Sequence, residues 1–388
     1  MNSIDVSSGT AHFDDRQGLP DQQLGGPHSP GRHHWRGARA GMVPYVAAAL
    51  SAGYALAGLY WTSGGHGFPF GTENDPLAHH QSVLEHVTRA NAAPWVAAAG
   101  LFGVCVALAM VRLRSMGVVG RLLLGAAWLQ AVVYSLVIPD GRPLVAAAHI
   151  PILLAGKPFG WPPGVTISSQ VSWPVANQLI LMFLGATWAA SAVIFRRRAV
   201  GACSVCGRTQ VPASWTTPQS AARWGRWGVG AAIAVPAVYA ATRLAWAAGI
   251  PLGVSRRFLT EQAADTPEIF VAGAFMAALA LGGATLTLGL VRRWGEVYPR
   301  WVPWLRNKPV RPRTAIIPAT AVAFLITGPG VGWVRSAVLG YFPEGAMGED
   351  WGTVAPGALW PLWGIGLGAA TYAYYLRRRG QCAVCGRR

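Results

Sequence analysis

"RRRAVGACSVCGR" (Arg196–Arg208) and "RRRGQCAVCGR" (Arg377–Arg387) are two copies of one motif: three arginines, a short spacer, then Cys-x-x-Cys-Gly-Arg. Each copy closes a long apolar block. A motif that recurs after similar blocks points to a duplicated unit, which should be sought upstream of each copy. It is there. "YALAGLYWTSGGHGFPFG" from Tyr54 is echoed by "YAATRLAWAAGIPLG" from Tyr239, with tyrosine, leucine, tryptophan, glycine and a closing Pro-x-Gly in the same order. The last apolar block of each half opens on Trp-Pro, at Trp173-Pro174 and Trp360-Pro361.

The blocks are long enough to cross a bilayer. About 20 apolar residues in a helix span the ~30 Å of hydrocarbon. Blocks of that length run near residues 42–62, 93–111, 118–138 and 174–195 in the first half, and near 227–249, 268–291, 315–335 and 357–376 in the second. Hydrophobic residues make up 52% of the chain and charged ones only 12%, a balance that water would not tolerate and lipid would. Between the third and fourth blocks of each half lies a shorter apolar stretch, "RPLVAAAHIPILLAG" from Arg142 and "VGWVRSAVLGYF" from Val331. Neither is long enough to cross, and Pro/Gly breaks flank both ("IPDGRP", "TGPG").

Arginine placement sets the orientation. Arg32, Arg36 and Arg39 precede the first block, Arg112, Arg114 and Arg121 separate the second from the third, and Arg196–Arg198 follow the fourth. The matching ends of the second half carry Arg292, Arg293, Arg300, Arg306, Lys308, Arg311 and Arg313, then Arg377–Arg379. Basic connections stay in the cytoplasm. Glu73, Asp75, Glu85, Asp140, Glu344, Glu349 and Asp350 fall in the opposite connections, so both termini are expected on the cytoplasmic side of the cell membrane.

The expected fold is therefore all-α and integral to the membrane. It has eight transmembrane helices in two parallel four-helix repeats, with short interfacial or re-entrant helices on the outer side. Residues 1–40, polar and without the design of a cleaved leader, read as a disordered cytoplasmic tail. Residues 41–210 and 211–388 are the two repeats. An even number of spans per repeat makes them parallel, related by an axis along the membrane normal.

That axis brings Cys203 and Cys206 close to Cys382 and Cys385 on the cytoplasmic face. A CxxC pair lets two thiolates face one metal, the glycine after it permits the tight turn, and two such knuckles complete a tetrahedral zinc site. The spacing favours a structural zinc over a thioredoxin-like redox pair or free thiols. A four-cysteine zinc has no open position for water, so it would clamp the halves or present an interaction surface rather than catalyse. Cys105, inside the second block, reads as core packing.

Other polar groups are weaker candidates. Ionisable side chains in apolar blocks are costly and so mark functional positions, which singles out Arg243 in the fifth block and His149 in the short outer stretch. Arg243 can also snorkel outward, and His149 can be satisfied locally. Asp140 and Arg142 in "IPDGRP" are candidate polar or substrate positions, with helix capping as the competing account. His66, His79, His80 and His86 lie in one outer loop with Glu73, Asp75 and Glu85. Their spacing fits no established zinc motif, and the corresponding "SRRFLTEQAADTPE" has no histidine, so a solvated loop is the preferred reading. The tryptophans, Trp61, Trp95, Trp173 and Trp301 among them, flank the blocks as an aromatic belt does.

The formal charge of +17 would suggest nucleic acid in a soluble protein, but here the arginines sit beside apolar blocks, which points to anionic lipid head groups. No Walker loop, nucleophile elbow, HExxH or dinucleotide fingerprint appears.

"LYWTSGGHGFPFG", "IPDGRPL", "KPFGWPPG" and "RLAWAAGIPLG" resemble segments of actinobacterial multi-pass membrane proteins, and the first half is similar to four-helix families with a Tyr-Trp-x-x-Gly-Gly segment. The resemblance implies a membrane class and no activity. Duplication with broken outer elements suggests a small-molecule transporter or permease. The knuckles suggest instead a scaffold or regulatory protein with a cytoplasmic protein partner. An enzyme acting on lipids finds no convincing carboxylate, histidine or metal cluster on the expected face.

Overall fold

The computed structural model describes residues 31–159, 171–266, 268–343 and 345–387, without the side chains of residues 31–40 and of most of 148–159. The regular structure among them is helical: α1 (Gly31–Thr62), α2 (Arg89–Arg112), α3 (Val118–Val132), α4 (Arg142–Gly156), α5 (Trp173–Ala199), α6 (Pro218–Ala247), α7 (Arg256–Asp265), α8 (Ile269–Leu288), α9 (Pro312–Val338), α10 (Ala355–Ala358) and α11 (Trp360–Arg378). Seven of these are long and apolar enough to cross a membrane: α1 from Gly41, α2, α3 with its extension to Val137, α5, α6, α8 and α9. The chain is a polytopic membrane protein. α11 stands outside that set because tryptophan, tyrosine and glycine dilute its apolar residues.

Local chemistry sets the helix ends. Thr88 accepts from the Asn91 N–H while the Asn91 side chain accepts from the Thr88 N–H, a reciprocal cap that starts α2. Pro218 follows a Thr217 cap at the start of α6. The last turns of α5 and α11 carry Arg196–Arg198 and Arg377–Arg378, where cations meet the negative end of the helix dipole.

The two halves pack their helices in the same order. α1 lies against α2 and α5, and α3 against α5; α6 lies against α8 and α11, and α9 against α11. Small residues let the backbones meet. A Cβ on Gly58 would fall 2.3 Å from the Ala97 nitrogen, and one on Gly100 would fall 2.4 Å from the Ala55 nitrogen. No flexible side chain can yield there, so Gly100→Ala is expected to destabilise the protein by about 1–3 kcal/mol. An unchanged melting temperature for that variant would show that α1 and α2 are not held at this distance.

α3 runs on as a single π turn, Val133–Val137, and stops before Pro139, whose missing N–H cannot continue the ladder. This turn packs on α9, where Gly328 faces Ser135 and Leu136. The halves therefore touch within the apolar layer as well as at its ends.

Three expectations need correction. The stretch from Val331 is no separate short helix: α9 continues through Pro318 and Pro329 to Val338. Gly330 on α9 comes so close to Trp360 and Pro361 that even a Cβ would clash, so packing on α11 supports the helix where the proline removes a hydrogen bond. Of the two short stretches, the one from Arg142 does form a separate short helix, α4. Cys105 is exposed on the surface of α2 rather than packed in a core. Trp61 is buried against Phe68 at a ring separation of 5.5 Å, whereas Trp95 and Trp301 are exposed as belt residues are. The segment Phe159–Gly164 lies almost wholly outside the described residues.

Candidate metal centre

The arginine-rich end of the bundle holds four cysteines. α5 delivers Cys203 and Cys206, and α11 delivers Cys382 and Cys385, each pair a few residues past its helix. The turns match hydrogen bond for hydrogen bond. The Gly207 N–H donates to the Cys203 carbonyl and the Gly386 N–H to the Cys382 carbonyl, both at 2.8 Å. The Cys203 N–H donates to the Arg208 carbonyl at 3.0 Å and the Cys382 N–H to the Arg387 carbonyl at 2.9 Å. Gly207 and Gly386 sit at φ of +71° and +69°, a conformation that glycine reaches without strain.

The turns face each other. Cys203 Sγ lies 3.9 Å from Cys382 Sγ and Cys206 Sγ lies 3.6 Å from Cys385 Sγ. All four sulfurs fall within 4.8 Å of one another, and every cysteine is a free thiol. These separations are far beyond the ~2.05 Å of a disulfide. Four convergent thiols could hold a metal ion.

Burial and local hydrogen bonds together set two of the thiols apart. Burial pushes Cys206 up to about 12, against a hydrogen bond from the Arg208 backbone and reinforced by the neighbouring thiols. Burial acts the same way on Cys382, but the Cys385 and Val384 backbone N–H groups and the adjacent thiols outweigh it and hold Cys382 down at about 7. Arginines lock the turns in place through carbonyls. Arg197 donates to Ser204 and Val205, Arg208 to Gly380 and Arg379, Arg379 to Cys206 and Thr216, and Arg387 to Arg208. Most of these bonds cross from one half to the other.

Asp140 and Arg142, at the opposite end, belong to a closed ionic network. The Arg142 guanidinium meets Asp140 at 2.6 Å and Asp75 at 2.7 Å, and the Gln178 side chain on α5 donates to Asp140 at 2.8 Å. Asp75 and Asp140 are 6% and 3% exposed, so little of either carboxylate is left for a ligand. Burial disfavours the Arg142 charge, but the two carboxylates outweigh it and raise its affinity for the proton. Sequence reasoning missed Gln178 altogether and treated Asp75 only as a loop acid. Their one signal was polarity, in the loop after the first apolar block for Asp75 and inside the fourth block for Gln178.

The remaining candidates are dispersed. Arg243 spreads over Trp246 at 4.1 Å and Tyr239 at 5.0 Å and reaches the Gly352 carbonyl at 3.3 Å, in a recess of about 360 Å³ shared with Phe258 and Phe270. The backbone of His149 is part of α4, and its side chain lies outside the described residues. His79, His80 and Glu85 gather their ligand atoms within 4.8 Å. Burial would raise the Glu85 carboxyl, but the His80 N–H, the Tyr341 hydroxyl and the His86 and His80 rings hold it below the usual carboxylate range. Tyr341 follows α9, so this loop is a joint between the halves: Arg335 also donates to the Gln81 carbonyl and Ser336 to that of His80. In comparison with known proteins, no family model, no curated protein and no solved structure matches this chain.

Proposed function

We propose that the protein is a membrane scaffold or regulatory protein of eight spans, built as two parallel four-helix repeats whose cytoplasmic face is closed by one structural zinc on Cys203, Cys206, Cys382 and Cys385. The four-sulfur cluster carries this reading. A tetrahedral zinc with bonds of ~2.3 Å to four thiolates has sulfur–sulfur edges of about 3.8 Å, and the facing pairs stand at 3.9 and 3.6 Å. Such a centre carries a formal charge of about −2, which the surrounding Arg197, Arg208, Arg379 and Arg387 offset.

The shared order of helix neighbours supports the duplication, with α11 as the eighth span, and the arginine distribution supports cytoplasmic termini in the cell membrane. A closed zinc site leaves the exposed knuckle surface to receive a cytoplasmic protein. The transporter reading is less favoured because its best substrate positions, Asp140 and Arg142, are already consumed by each other and by Asp75.

The test is the metal content of the full chain, purified in detergent under reducing conditions. About one zinc per chain is expected. After chelation, mild oxidation should cross-link Cys203 to Cys382 or Cys206 to Cys385, and zinc should protect against it. A folded, reduced protein without metal rules the reading out.

A further inference from the structure

Beside the knuckles, a cavity of about 930 Å³ opens between α5 and α11. Six arginines line it, three from each half: Arg196, Arg197 and Arg208, with Arg377, Arg379 and Arg387. Their hydrogen-bond partners are almost all neutral carbonyls, which fix a guanidinium without cancelling its charge. The single carboxylate among those partners is Glu296, 3.2 Å from Arg377. The Arg196 guanidinium makes no hydrogen bond or ion pair among the described residues, and the residue is exposed. Even a zinc centre next to it leaves this wall positive.

The same cavity has an apolar side. Trp128, Ala192, Val193, Tyr372 and Leu376 line it on α3, α5 and α11, with Trp215 from the connection before α6. Trp128 is ten residues into α3, about 15 Å along the helix from its basic end at Val118. The cavity thus runs from the arginines into the depth of the apolar layer. A soluble anion needs only the arginine end. A molecule with a negative head and a hydrocarbon tail matches both parts.

We infer that this cavity is a binding site for one anionic phospholipid, its phosphate on the arginines of both halves and an acyl chain along Trp128 and Val193. Phosphate is the chemistry recognised, since guanidinium forks pair with its oxygens, and basic recesses between helices on the cytoplasmic side suit such head groups. The assignment rests on the orientation argued above, with the arginine-rich end facing the cytoplasm, but it does not require the zinc.

The experiment uses the full chain in a neutral detergent and three probes: phosphatidylglycerol, phosphatidylcholine with the same acyl chains, and inorganic phosphate. Lipid retention is read by native mass spectrometry and stabilisation by melting temperature. Phosphatidylglycerol should be retained at least about tenfold over phosphatidylcholine, given roughly fivefold for each arginine near a head group. Arg196→Gln should reduce that preference about fivefold. The Arg196 side chain bonds to nothing that shapes the fold, so zinc content and melting temperature in phosphatidylcholine should stay those of the unaltered chain. Arg112→Gln, at the same end but outside the cavity, should leave the preference intact.

Equal retention of the two lipids overturns the proposal, as does an Arg112→Gln effect as large as that of Arg196→Gln. Stabilisation by inorganic phosphate equal to that by phosphatidylglycerol overturns the lipid assignment in favour of a soluble anion. Absence of zinc with the lipid preference intact would remove the clamp alone.

Discussion

Arg142→Ala is expected to cost about 3–5 kcal/mol of stability, because it leaves two buried carboxylates without their shared cation. Asp75 comes from the loop after α1, Asp140 from the end of α3, and Gln178 from α5, so the guanidinium at the head of α4 gathers three separate parts of the first half. Arg142→Lys should recover only part of the loss. An ammonium keeps the charge but cannot present a fork to two carboxylates at once. Asp75→Asn should cost less than Arg142→Ala, since the pair with Asp140 survives. Denaturant unfolding in detergent measures all three. An Arg142→Ala protein as stable as the original would mean that water or a ligand compensates these acids, and would reopen their reading as a substrate site.

Joint replacement of Cys203 and Cys382 by serine should remove all bound metal and loosen the arginine-rich end. Each knuckle then keeps one thiolate, too few for a closed site. A four-ligand structural zinc contributes on the order of 10 kcal/mol of binding free energy to the folded state. Without it, the repulsion of the crowded arginines around Arg197, Arg208, Arg379 and Arg387 is no longer offset. Limited trypsin digestion should accelerate in the connection between α5 and α6, and a chelator should reproduce the effect in the unaltered chain. Unchanged metal content and digestion in the double variant would show that the thiols serve some other purpose.

The parts of this arrangement that were legible in the sequence are those set by local spacing. A helix long enough to span announces itself by an uninterrupted apolar block, and Cys-x-x-Cys-Gly fixes its own turn, as Cys203–Gly207 and Cys382–Gly386 show. That the knuckles would meet was expected from the recurrence of the motif, and their four sulfurs do lie within 4.8 Å of one another. The Arg142 network was only half legible. Asp140 is two residues from Arg142, but Asp75 is 67 residues away and Gln178 is 38 from Asp140. No local pattern records that the loop after α1 folds over the start of α4. The failure at Pro329 is of the same kind. A proline between glycines reads as a break, and only the close approach of α11 at Gly330 explains why α9 continues. Burial was the least legible of all, since Cys105 and Trp61 have the same kind of neighbours and end on opposite sides of the packing.

The two halves are joined at both ends of the bundle. Sulfur and arginine contacts join them at one end, and the bonds of Arg335, Ser336 and Tyr341 to the His80–Glu85 loop join them at the other. Carriers built from paired repeats commonly work by rocking one repeat against the other around a central pivot. A body fastened at top and bottom has no free end to swing. Each cycle would have to release one fastening, and with zinc on the cysteines the release would fall on the opposite one, where the ties are a few hydrogen bonds and one acid held by histidines.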